Sequence, residues 1–441
     1  MNTKIIAVIL VVVLAGTGVG AYLLMNQGSA TLAKVDAPLS IYGNADNDYK
    51  IDEDDVSTVE KIISGELKAN EYPLADANYD GAVDSKDVDH LRDMIDKKKG
   101  ITVYVFDASG ATVGIEYPLE HIVPVGTNLI STIIQIGGAQ TVVGYTKTNY
   151  GVAHSPILNN AVQLGGGIFD LDTDDSINAF KNLDASIDGG IDAVVTQNSD
   201  SYLKKSASFL EGAEVTILRF DTAEGLSSID GALTIGYLLG EDCEKQAINY
   251  ALMSYEILDE IKEKLKEVDP ADVKTSFSVT MGYYVARIDS DYTGLTALAG
   301  SPTVCTLEGD GSAKMDQGDE YYKAWNADYI VSYRTLDYSI DYLDMTKGKT
   351  MTPVDTWKAY MTYFDELDCY ENLIYINSSI PVVCRIAYLA EVFYPEIFGD
   401  GYGDSVHQEF VDTFMSYLGD DFDVSQDMTT LITYDMVKDS L

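Results

Sequence analysis

Short apolar runs alternate with helical stretches along residues 101–441. Two β-branched and aromatic runs at 102–106 and 112–115, separated by a turn, predict a small hairpin. After the hairpin, each apolar run predicts a strand. The predicted strands cover 122–125, 141–144, 193–195, 215–218, 276–279, 329–331 and 373–376, and the clearest helices cover 127–136 and 382–392. This alternation predicts parallel βαβ units and therefore an α/β fold.

One long amphipathic helix divides this series in two. From about residue 242 onward, apolar residues such as Ile248, Leu252 and Tyr255 recur at helical steps, opposite a face rich in Lys and Glu. The pair Asp269-Pro270 predicts its end. We therefore expect two Rossmann-like lobes joined by a single helix. The predicted parts are a first lobe at 101–240, a spanning helix at 241–268 and a second lobe at 269–441.

A longer apolar run opens the chain. Residues 5–25 follow Lys4 and contain no charged side chain, and as a helix they would extend about 31 Å, enough to span a bilayer. A transmembrane anchor and a secretory signal cleaved near Gly28-Ser29-Ala30 both fit this pattern. Either interpretation assigns residues 1–25 to export, leaves 26–40 as a spacer, and predicts an extracytoplasmic protein that is membrane-anchored or secreted.

Residues 44–63 and 76–95 repeat one pattern. Both copies carry acidic or amide side chains at loop positions 1, 3, 5, 9 and 12, with an apolar residue at position 8. This is the EF-hand spacing, in which alternate side-chain oxygens surround a hard cation. After position 12 each copy continues with apolar residues at helical intervals. Each loop is therefore predicted to lead into one helix.

Two such loop-helix units with Asp at position 12 resemble a dockerin, a small all-α calcium-binding module that binds cohesin domains. The resemblance covers residues 41–97. It implies about two Ca²⁺ ions and a cohesin-domain partner, with the carbonyls of Lys50 and Ala82 among the ligands. The implied ligands are Asn44, Asp46, Asp48, Lys50, Asp52 and Asp55 in loop 1, and Asp76, Asn78, Asp80, Ala82, Asp84 and Asp87 in loop 2.

The two loops depart from that pattern to different degrees. Loop 1 has Asn44 at position 1 and Tyr49 at position 6, where glycine usually supplies the sharp turn. Loop 2 has Asp76 and Gly81 at these positions. Loop 2 is therefore predicted to bind calcium more strongly than loop 1.

Charge and cysteine content narrow the classes of function. The chain has 29 Lys and Arg against 71 Asp and Glu, a net charge of −42. A surface this acidic would be repelled by the phosphates of a nucleic acid, which excludes such a partner. The 4 cysteines form no C-x-x-C pair and the 4 histidines form no helical i, i+4 pair, which excludes the usual zinc and thiol redox motifs. A disulfide between Cys369 and Cys384 and a set of buried free thiols both stay open.

Three motifs along residues 101–441 share an order around the long helix. They are Pro118 ahead of the Ile122-Val123 strand, the Gly137-Gly138 to Val142-Val143-Gly144 segment, and the segment 381–398, which reads PVVCRIAYLAEVFYPEIF. With the two-lobe plan, they resemble the substrate-binding proteins of ABC importers for iron-siderophores, haem and vitamin B12. The resemblance implies a solute-binding protein, not an enzyme, with an ABC permease as partner and an iron chelate, haem or corrinoid as ligand.

In such a two-lobe protein the ligand lies between the loops that follow the strands. Arginine suits the carboxylate or phosphate groups of a chelate, and a Tyr oxygen is able to ligate ferric haem iron. The side chains predicted to contact the ligand are Asn128, Tyr145, Tyr150, Tyr202, Tyr283, Tyr284, Arg287, Tyr333, Arg334 and Arg385.

The same resemblance implies two carboxylates that contact the permease, one on each lobe. Asp175 matches on the first lobe and Glu320 on the second, each near the start of a predicted helix. Such carboxylates pair with arginines of the membrane partner and orient the two proteins.

Two other functions stay open from the sequence. Dockerins also occur on extracellular enzymes, and a pair of carboxylates would be enough for a glycoside hydrolase. A surface scaffold or adhesion protein without solute transport is the second alternative.

Overall fold

The structure is a computed structural model. It describes residues 39–146, 161–167, 169–198, 201–220, 225–280, 284–314, 320–334, 342–344 and 349–441. The predicted anchor or signal segment at 1–25 and nearly all of the spacer lie outside these residues. Within the described ranges, no helix is both long enough and apolar enough to cross a membrane.

In the described residues, α-helices and strands alternate along much of the chain. The helices are α1 (Glu53–Ser64), α2 (Ser85–Ile95), α3 (Thr127–Gln135), α4 (Asp174–Asp184), α5 (Ala207–Gly212), α6 (Ser227–Leu238), α7 (Glu241–Leu265), α8 (Asp291–Leu298), α9 (Glu320–Trp325), α10 (Pro353–Tyr360), α11 (Val382–Phe393), α12 (Pro395–Phe398), α13 (Tyr402–Phe414), α14 (Val424–Asp427) and α15 (Tyr434–Val437).

The strands belong to several sheets. They are β1 (Thr102–Phe106), β2 (Thr112–Glu116), β3 (Ile122–Val125), β4 (Gly144–Tyr145), β5 (Val162–Gln163), β6 (Ala193–Gln197), β7 (Thr216–Phe220), β8 (Ser276–Thr280), β9 (Tyr284–Ala286), β10 (Ser312–Lys314), β11 (Tyr329–Arg334), β12 (Tyr342–Asp344), β13 (Lys349–Met351), β14 (Leu373–Asn377) and β15 (Leu431–Thr433).

The two repeated loops each lead into a helix, as the sequence predicts. Asp52 caps α1 and Asp84 caps α2, and in each helix the aspartate at N3, Asp55 or Asp87, accepts a hydrogen bond from the cap's backbone N–H. These reciprocal bonds satisfy N–H groups that have no partner inside the helix. Residues 41–97 therefore form a pair of loop-helix units, called the small module below.

The first lobe contains a parallel sheet in the order β3-β6-β7. The strand predicted at 141–144 is displaced by a few residues: a 3₁₀ turn ends at Thr141, Val142 forms a parallel bridge with Ile122, and β4 begins at Gly144. A Cβ on Gly138 would lie 2.6 Å from the Leu239 side chain, and Gly137 has a φ of 82°. The glycines thus turn the chain between α3 and β4.

The second lobe contains a six-stranded mixed sheet in the order β10-β9-β8-β11-β14-β15. The central strands β8, β11 and β14 are parallel, as predicted, whereas β9, β10 and β15 run antiparallel at the two edges. The sequence analysis did not predict the strands β9, β10 and β15; β9 follows β8 after a short connection, which only an antiparallel neighbour permits.

The long helix α7 joins the two lobes. It has 25 residues, about 37 Å, and its buried face includes Cys243, Tyr250 and Ile257. It packs on α6 of the first lobe and on α11 and α13 of the second. The sequence predicts a helix at 241–268, and the structure forms one at Glu241–Leu265.

The small module packs directly on the first lobe. Residue 41 forms an antiparallel bridge with Val105 of β1, and the Tyr42 N–H donates to the Tyr104 carbonyl at 2.9 Å. The Tyr237 hydroxyl of α6 donates to the Met94 carbonyl at 3.3 Å. Buried side chains of the module and of the lobe belong to one continuous hydrophobic core. The module is therefore part of the same packed unit as the first lobe.

A largely buried ion pair closes this junction. The Lys97 ammonium lies 2.6 Å from the Glu244 carboxylate of α7, and the two side chains are 18% and 13% exposed. The same ammonium lies 3.9 Å from the centroid of the Tyr237 ring. The polar segment at 97–100 therefore fixes the module to the lobe.

The four cysteines all lie in described residues and are buried with free thiols. Cys369 and Cys384 do not form a disulfide. The interpretation of the cysteines as small buried side chains is confirmed.

Candidate functional site

A polar cavity lies where the two lobes meet. One face of α3 contributes Asn128, Ser131, Thr132 and Gln135, which follow i, i+3, i+4 and i+7 spacing. The second lobe contributes the segment 378–382 after β14 and Arg385 of α11, and Tyr250 of α7 also lines the space. Helix starts that follow parallel strands thus place polar groups of both lobes at one junction.

Arg385 is the one ionised group among the described residues that line this cavity. Its side chain is only 2% exposed. The other lining residues are hydroxyl, amide and apolar side chains, without a carboxylate in the described set. A guanidinium in such surroundings favours an anionic group, because a charge-assisted hydrogen bond is stronger away from water.

The loop before α11 is held by local hydrogen bonds. The side-chain oxygen of Asn377 accepts two hydrogen bonds from Ser379, one from its backbone N–H at 3.0 Å and one from its hydroxyl at 2.7 Å. The Ser378 N–H donates to the Arg334 carbonyl at 2.6 Å. Ser378 and Ser379 are therefore positioned at the carboxyl edge of the second sheet.

The cavity in this structure has a volume of about 20 Å³, which is room for about one water molecule. A chelate of drug-like size occupies a pocket of roughly 300–1,000 Å³. Binding such a ligand here therefore requires the lobes to separate along the face of α3.

Two further predicted ligand residues lie at the edges of this region. A Cβ on Gly126, the residue before α3, would lie 2.7 Å from the Tyr202 ring, so this ring covers the start of the helix that carries Asn128. The Arg334 guanidinium lies 4.9 Å from the centroid of the Tyr360 ring. Asn128, Tyr202 and the backbone of Arg334 are thus close to the junction of the lobes.

Four other predicted ligand residues make contacts within their own lobes. Tyr145 is buried in the short strand β4, and Tyr284 begins β9. The Arg287 guanidinium donates to the Glu308 carbonyl at 2.7 Å. Tyr333 is buried, and its hydroxyl donates to the carbonyl of Tyr292 at 3.3 Å.

The remaining two predicted ligand residues, Tyr150 and Tyr283, lie outside the described residues. The cavity also includes side chains that the sequence analysis did not select, namely Ser131, Thr132 and Gln135. The sequence nevertheless shows these side chains as a polar stripe along the otherwise apolar helix α3.

Loop 2 of the small module is held by hydrogen bonds from its backbone N–H groups to its own side-chain oxygens. The Asp76 carboxylate accepts from the N–H groups of Asp80, at 3.1 Å, and Gly81, at 2.8 Å. The Asn78 side-chain oxygen accepts from the Asp80 N–H at 2.9 Å. Gly81 has a φ of 93°, which glycine adopts without strain. The donor set consists of oxygens, which hard cations prefer.

Loop 1 uses its first residue differently. Asn44 is buried, its side-chain N–H₂ donates to the carbonyls of Leu39 and Asp48, and its oxygen accepts from the Asp48 N–H. All its polar atoms are thus engaged within the protein. The positive φ values of Asn47 and Tyr79, 60° and 54°, show that both loops share the same turn at position 4.

The loop oxygens bind other groups in this structure. Asp55 accepts backbone N–H bonds from Ala45, Asp46 and Asp52, and the Lys86 ammonium lies 2.7 Å from Asp80. Within the described residues, no three Asp, Glu, His or Cys side chains are grouped closely enough to hold a metal ion. The loop residues fit calcium in ligand type, while in this structure the oxygens of Asp55 bond to backbone N–H groups and that of Asp80 to Lys86.

Burial changes the acidity of loop 1. It raises the pKa of Asp55 to about 8 and the pKa of Asp48 to about 6. Neighbouring carboxylates, such as Asp46 beside both residues, raise these pKa values further. Burial and like charge thus favour the protonated, neutral form of these two carboxyl groups in loop 1.

The two carboxylates predicted to contact a permease lie at helix starts. Asp175 is exposed in the first turn of α4, after the N-cap Thr173. Glu320 is the first residue of α9. Both positions match the sequence prediction for local structure, and their role stays a prediction.

Comparisons with known proteins connect this architecture to solved structures. No protein-family model matches the chain, and no curated protein matches it significantly. Among solved structures, the TroA-like periplasmic binding protein FepB from Veillonella parvula is 16% identical with a TM-score of 0.52, covering 75% of this chain and 98% of its own.

Two other structures give similar values. CeuE from Helicobacter pylori, in a complex with Ni and His, is 14% identical with a TM-score of 0.53, covering 75% of this chain and all of its own, 100%. MolA from Haemophilus influenzae, bound to molybdate, is 14% identical with a TM-score of 0.52, covering 72% and 98%. The chain therefore has the mixed α/β fold of TroA-like periplasmic binding proteins.

Proposed function

We propose that the chain is the extracytoplasmic solute-binding component of an ABC importer. The observation that carries this proposal is the polar cavity between two α/β lobes joined by one long helix, with Arg385 buried inside it. The shared fold of periplasmic binding proteins supports it. An ABC permease is then the membrane partner, and Asp175 and Glu320 are its proposed contacts.

The proposed ligand is an oxyanion or a metal complex that carries a carboxylate, phosphate or other negative group. Arg385 would bind its negative group, and Asn128, Ser378 and Ser379 would donate or accept hydrogen bonds around it. Iron-siderophores, haem and corrinoids remain the proposed classes. The ligands of the neighbouring structures, molybdate and Ni with histidine, extend the set to be tested.

A binding screen on the whole chain tests this function. Haemin, cyanocobalamin, a ferric tris-catecholate siderophore, Ni²⁺ with histidine, and molybdate are each mixed with the protein, and retention after gel filtration is measured by absorption or metal analysis. We expect one of the five to be retained. If none is retained, the solute-binding proposal is wrong.

A conservative variant assigns the binding to the cavity. Arg385→Lys keeps the charge but loses the bidentate geometry, so we expect about tenfold weaker binding or more, with the far-ultraviolet circular dichroism unchanged. Arg92→Gln, at an exposed position of the small module, is the matched control. Equal affinity of Arg385→Lys and wild type would place the ligand elsewhere.

We infer that the small module binds calcium and supports assembly with a cohesin-domain protein. The oxygen donors and shared turns of the two loops support the calcium part, and the resemblance of residues 41–97 to a dockerin supports the partner. Loop 2 is the stronger proposed site, because Asn44 of loop 1 is already engaged by backbone groups.

Calorimetric titration of the metal-free whole chain with Ca²⁺ tests the calcium proposal. We expect the double variant Asp76→Asn with Asp80→Asn to weaken the stronger site by about tenfold or more, because affinity depends on the number of charged ligands. Asp89→Asn, whose side chain is 82% exposed in α2, is the control. Absence of calcium binding by the wild type would contradict the proposal.

A further inference from the structure

A second, larger groove crosses the junction of the lobes. It is formed by the end of α3 with the 3₁₀ turn Gly138–Thr141, by the first turns of α7, and by the end of α13 with the 3₁₀ turn Ser416–Leu418. Its volume is about 520 Å³, within the range of pockets that bind small molecules. It meets the cavity described above only at Gln135, which lines both.

The groove is uncharged. None of its described lining residues is acidic or basic, although the chain has a net charge of −42 and 23% charged residues. An anion would find no cationic partner there, and a cation would find no carboxylate. The chemistry of the groove therefore selects a neutral ligand.

The lining combines hydrogen-bonding groups with two aromatic rings, those of Phe414 and Tyr417. Three carboxamides, of Gln135, Gln140 and Gln246, both donate and accept, and Thr413 and Ser416 are close to the half-buried Tyr417. Burial raises the pKa of the Tyr417 phenol, so its hydroxyl stays protonated. A purely apolar ligand would leave these groups unpaired at a cost in free energy.

Two of the carboxamides have weak partners in this structure. The Gln135 side-chain N–H₂ lies 3.9 Å from the Met415 sulfur, and the Gln140 N–H₂ lies 3.9 Å from the Cys243 sulfur. Sulfur is a weak acceptor, so a ligand oxygen is able to replace it favourably. Gln135 is only 5% exposed, which makes it a buried donor at the wall of the groove.

We propose that this groove binds a neutral polyhydroxylated ligand of the size of a di- or trisaccharide. Its hydroxyl groups bond to Gln135, Gln140, Gln246 and the Thr413 and Ser416 hydroxyls, and its apolar face packs against Tyr417. Because the lining comes from the first lobe, α7 and the second lobe, the bound molecule contacts both lobes at once.

Titration calorimetry of the whole chain tests this site. The probes are maltotriose and cellotriose, with glucose 6-phosphate and glucosamine as anionic and cationic comparators. We expect at least one neutral trisaccharide to bind, with a Kd below about 10 mM, and both charged sugars to bind more weakly. If neither trisaccharide binds at this concentration, or a charged sugar binds best, the proposal is overturned.

Substitutions on the exposed wall locate the binding. Gln140 and Gln246 are exposed, so Gln140→Ala and Gln246→Ala leave the core intact. Each is expected to weaken trisaccharide binding by about three- to tenfold, the effect of losing one hydrogen-bonded group. Tyr417→Phe, which keeps the ring, is expected to weaken it by about threefold.

Asn249→Ala is the matched control for Gln246→Ala. Asn249 is exposed three residues further along α7 and does not line the groove. We expect wild-type affinity for this variant. Wild-type affinity of the Gln140→Ala, Gln246→Ala double variant would overturn the assignment to the groove.

Discussion

At the residue scale, His407 is a fully buried residue of α13 that faces Tyr388 of α11. The Tyr388 hydroxyl lies 3.3 Å from its Nδ1 and donates to the Asp404 carboxylate at 2.8 Å. Burial lowers the pKa of His407 from 6.5 to about 3. The imidazole is therefore neutral in the folded protein at pH values where it is protonated in the unfolded chain.

This burial predicts a loss of stability in mild acid. Below pH 6.5 the His407 imidazole binds a proton in the unfolded chain but not in the folded protein. The free energy of unfolding therefore falls as the pH decreases toward 3. We expect wild type to lose about 2 kcal/mol more than His407→Asn between pH 7 and pH 5. Urea unfolding at both pH values measures this difference.

A substitution that removes no titratable group provides the control. Asn249 is exposed on α7, and we expect Asn249→Ala to show the same change between the two pH values as wild type. An identical pH response of His407→Asn and wild type would contradict the argument from burial.

Cavity residues were predictable where they directly follow a predicted strand. Asn128 and Arg385 were selected because each follows a predicted strand, and the structure places both on one cavity. Tyr333 was selected by the same rule, yet its ring lies inside the lobe, 4.5 Å from the Tyr292 ring. The rule identifies strand ends but not the side on which a side chain packs, because that depends on neighbouring elements.

At the scale of elements, residues 40–42 act as a third strand beside the β1-β2 hairpin. The Phe106 N–H donates to the Ser40 carbonyl at 3.0 Å, and Ile41 is fully buried. A two-stranded hairpin alone is only marginally stable in water. This pairing connects the start of the small module to the first lobe.

Removing the Ile41 side chain is expected to destabilise both parts together. Ile41→Ala should lower the free energy of unfolding by about 3 kcal/mol, through lost burial and the cavity that remains. Ile63→Ala, at a position 46% exposed in α1, should change it by less than about 0.5 kcal/mol. Urea unfolding measures both variants.

Hydrogen exchange distinguishes a shared unit from a separate module. In Ile41→Ala, amides of β1 are expected to exchange faster along with those of α1 and α2. Faster exchange confined to α1 and α2 would show that the module unfolds independently of the first lobe.

Elements were predictable where hydrophobic runs were long. The central strands and α7 follow directly from the sequence, and their observed bounds differ from the prediction by a few residues. Edge strands such as β10 and β15 were missed, because each has only three residues and is partly exposed. Their pairing is set by the neighbouring strand more than by their own composition.

At the scale of the whole molecule, the sequence predicted the parts better than their arrangement. Three consecutive lysines at 97–99 form a polar segment that, in local sequence alone, resembles a break between the small module and the lobes. The structure instead pairs Lys97 with Glu244, a residue 147 positions away whose proximity no local pattern reveals. Long-range contacts of this kind, not the local signals, decide whether two modules pack together.

The shared core between the small module and the first lobe has a mechanical consequence. The backbone bridge at Ile41 and the Lys97 ion pair both resist rotation of the small module relative to the first lobe. Any protein bound to the module would therefore also fix the orientation of the first lobe. Under the proposed solute-binding function, any movement of the lobes relative to that attachment falls on the second lobe. The first lobe would then be the fixed part of the protein, and the second lobe would be the part that rotates about α7.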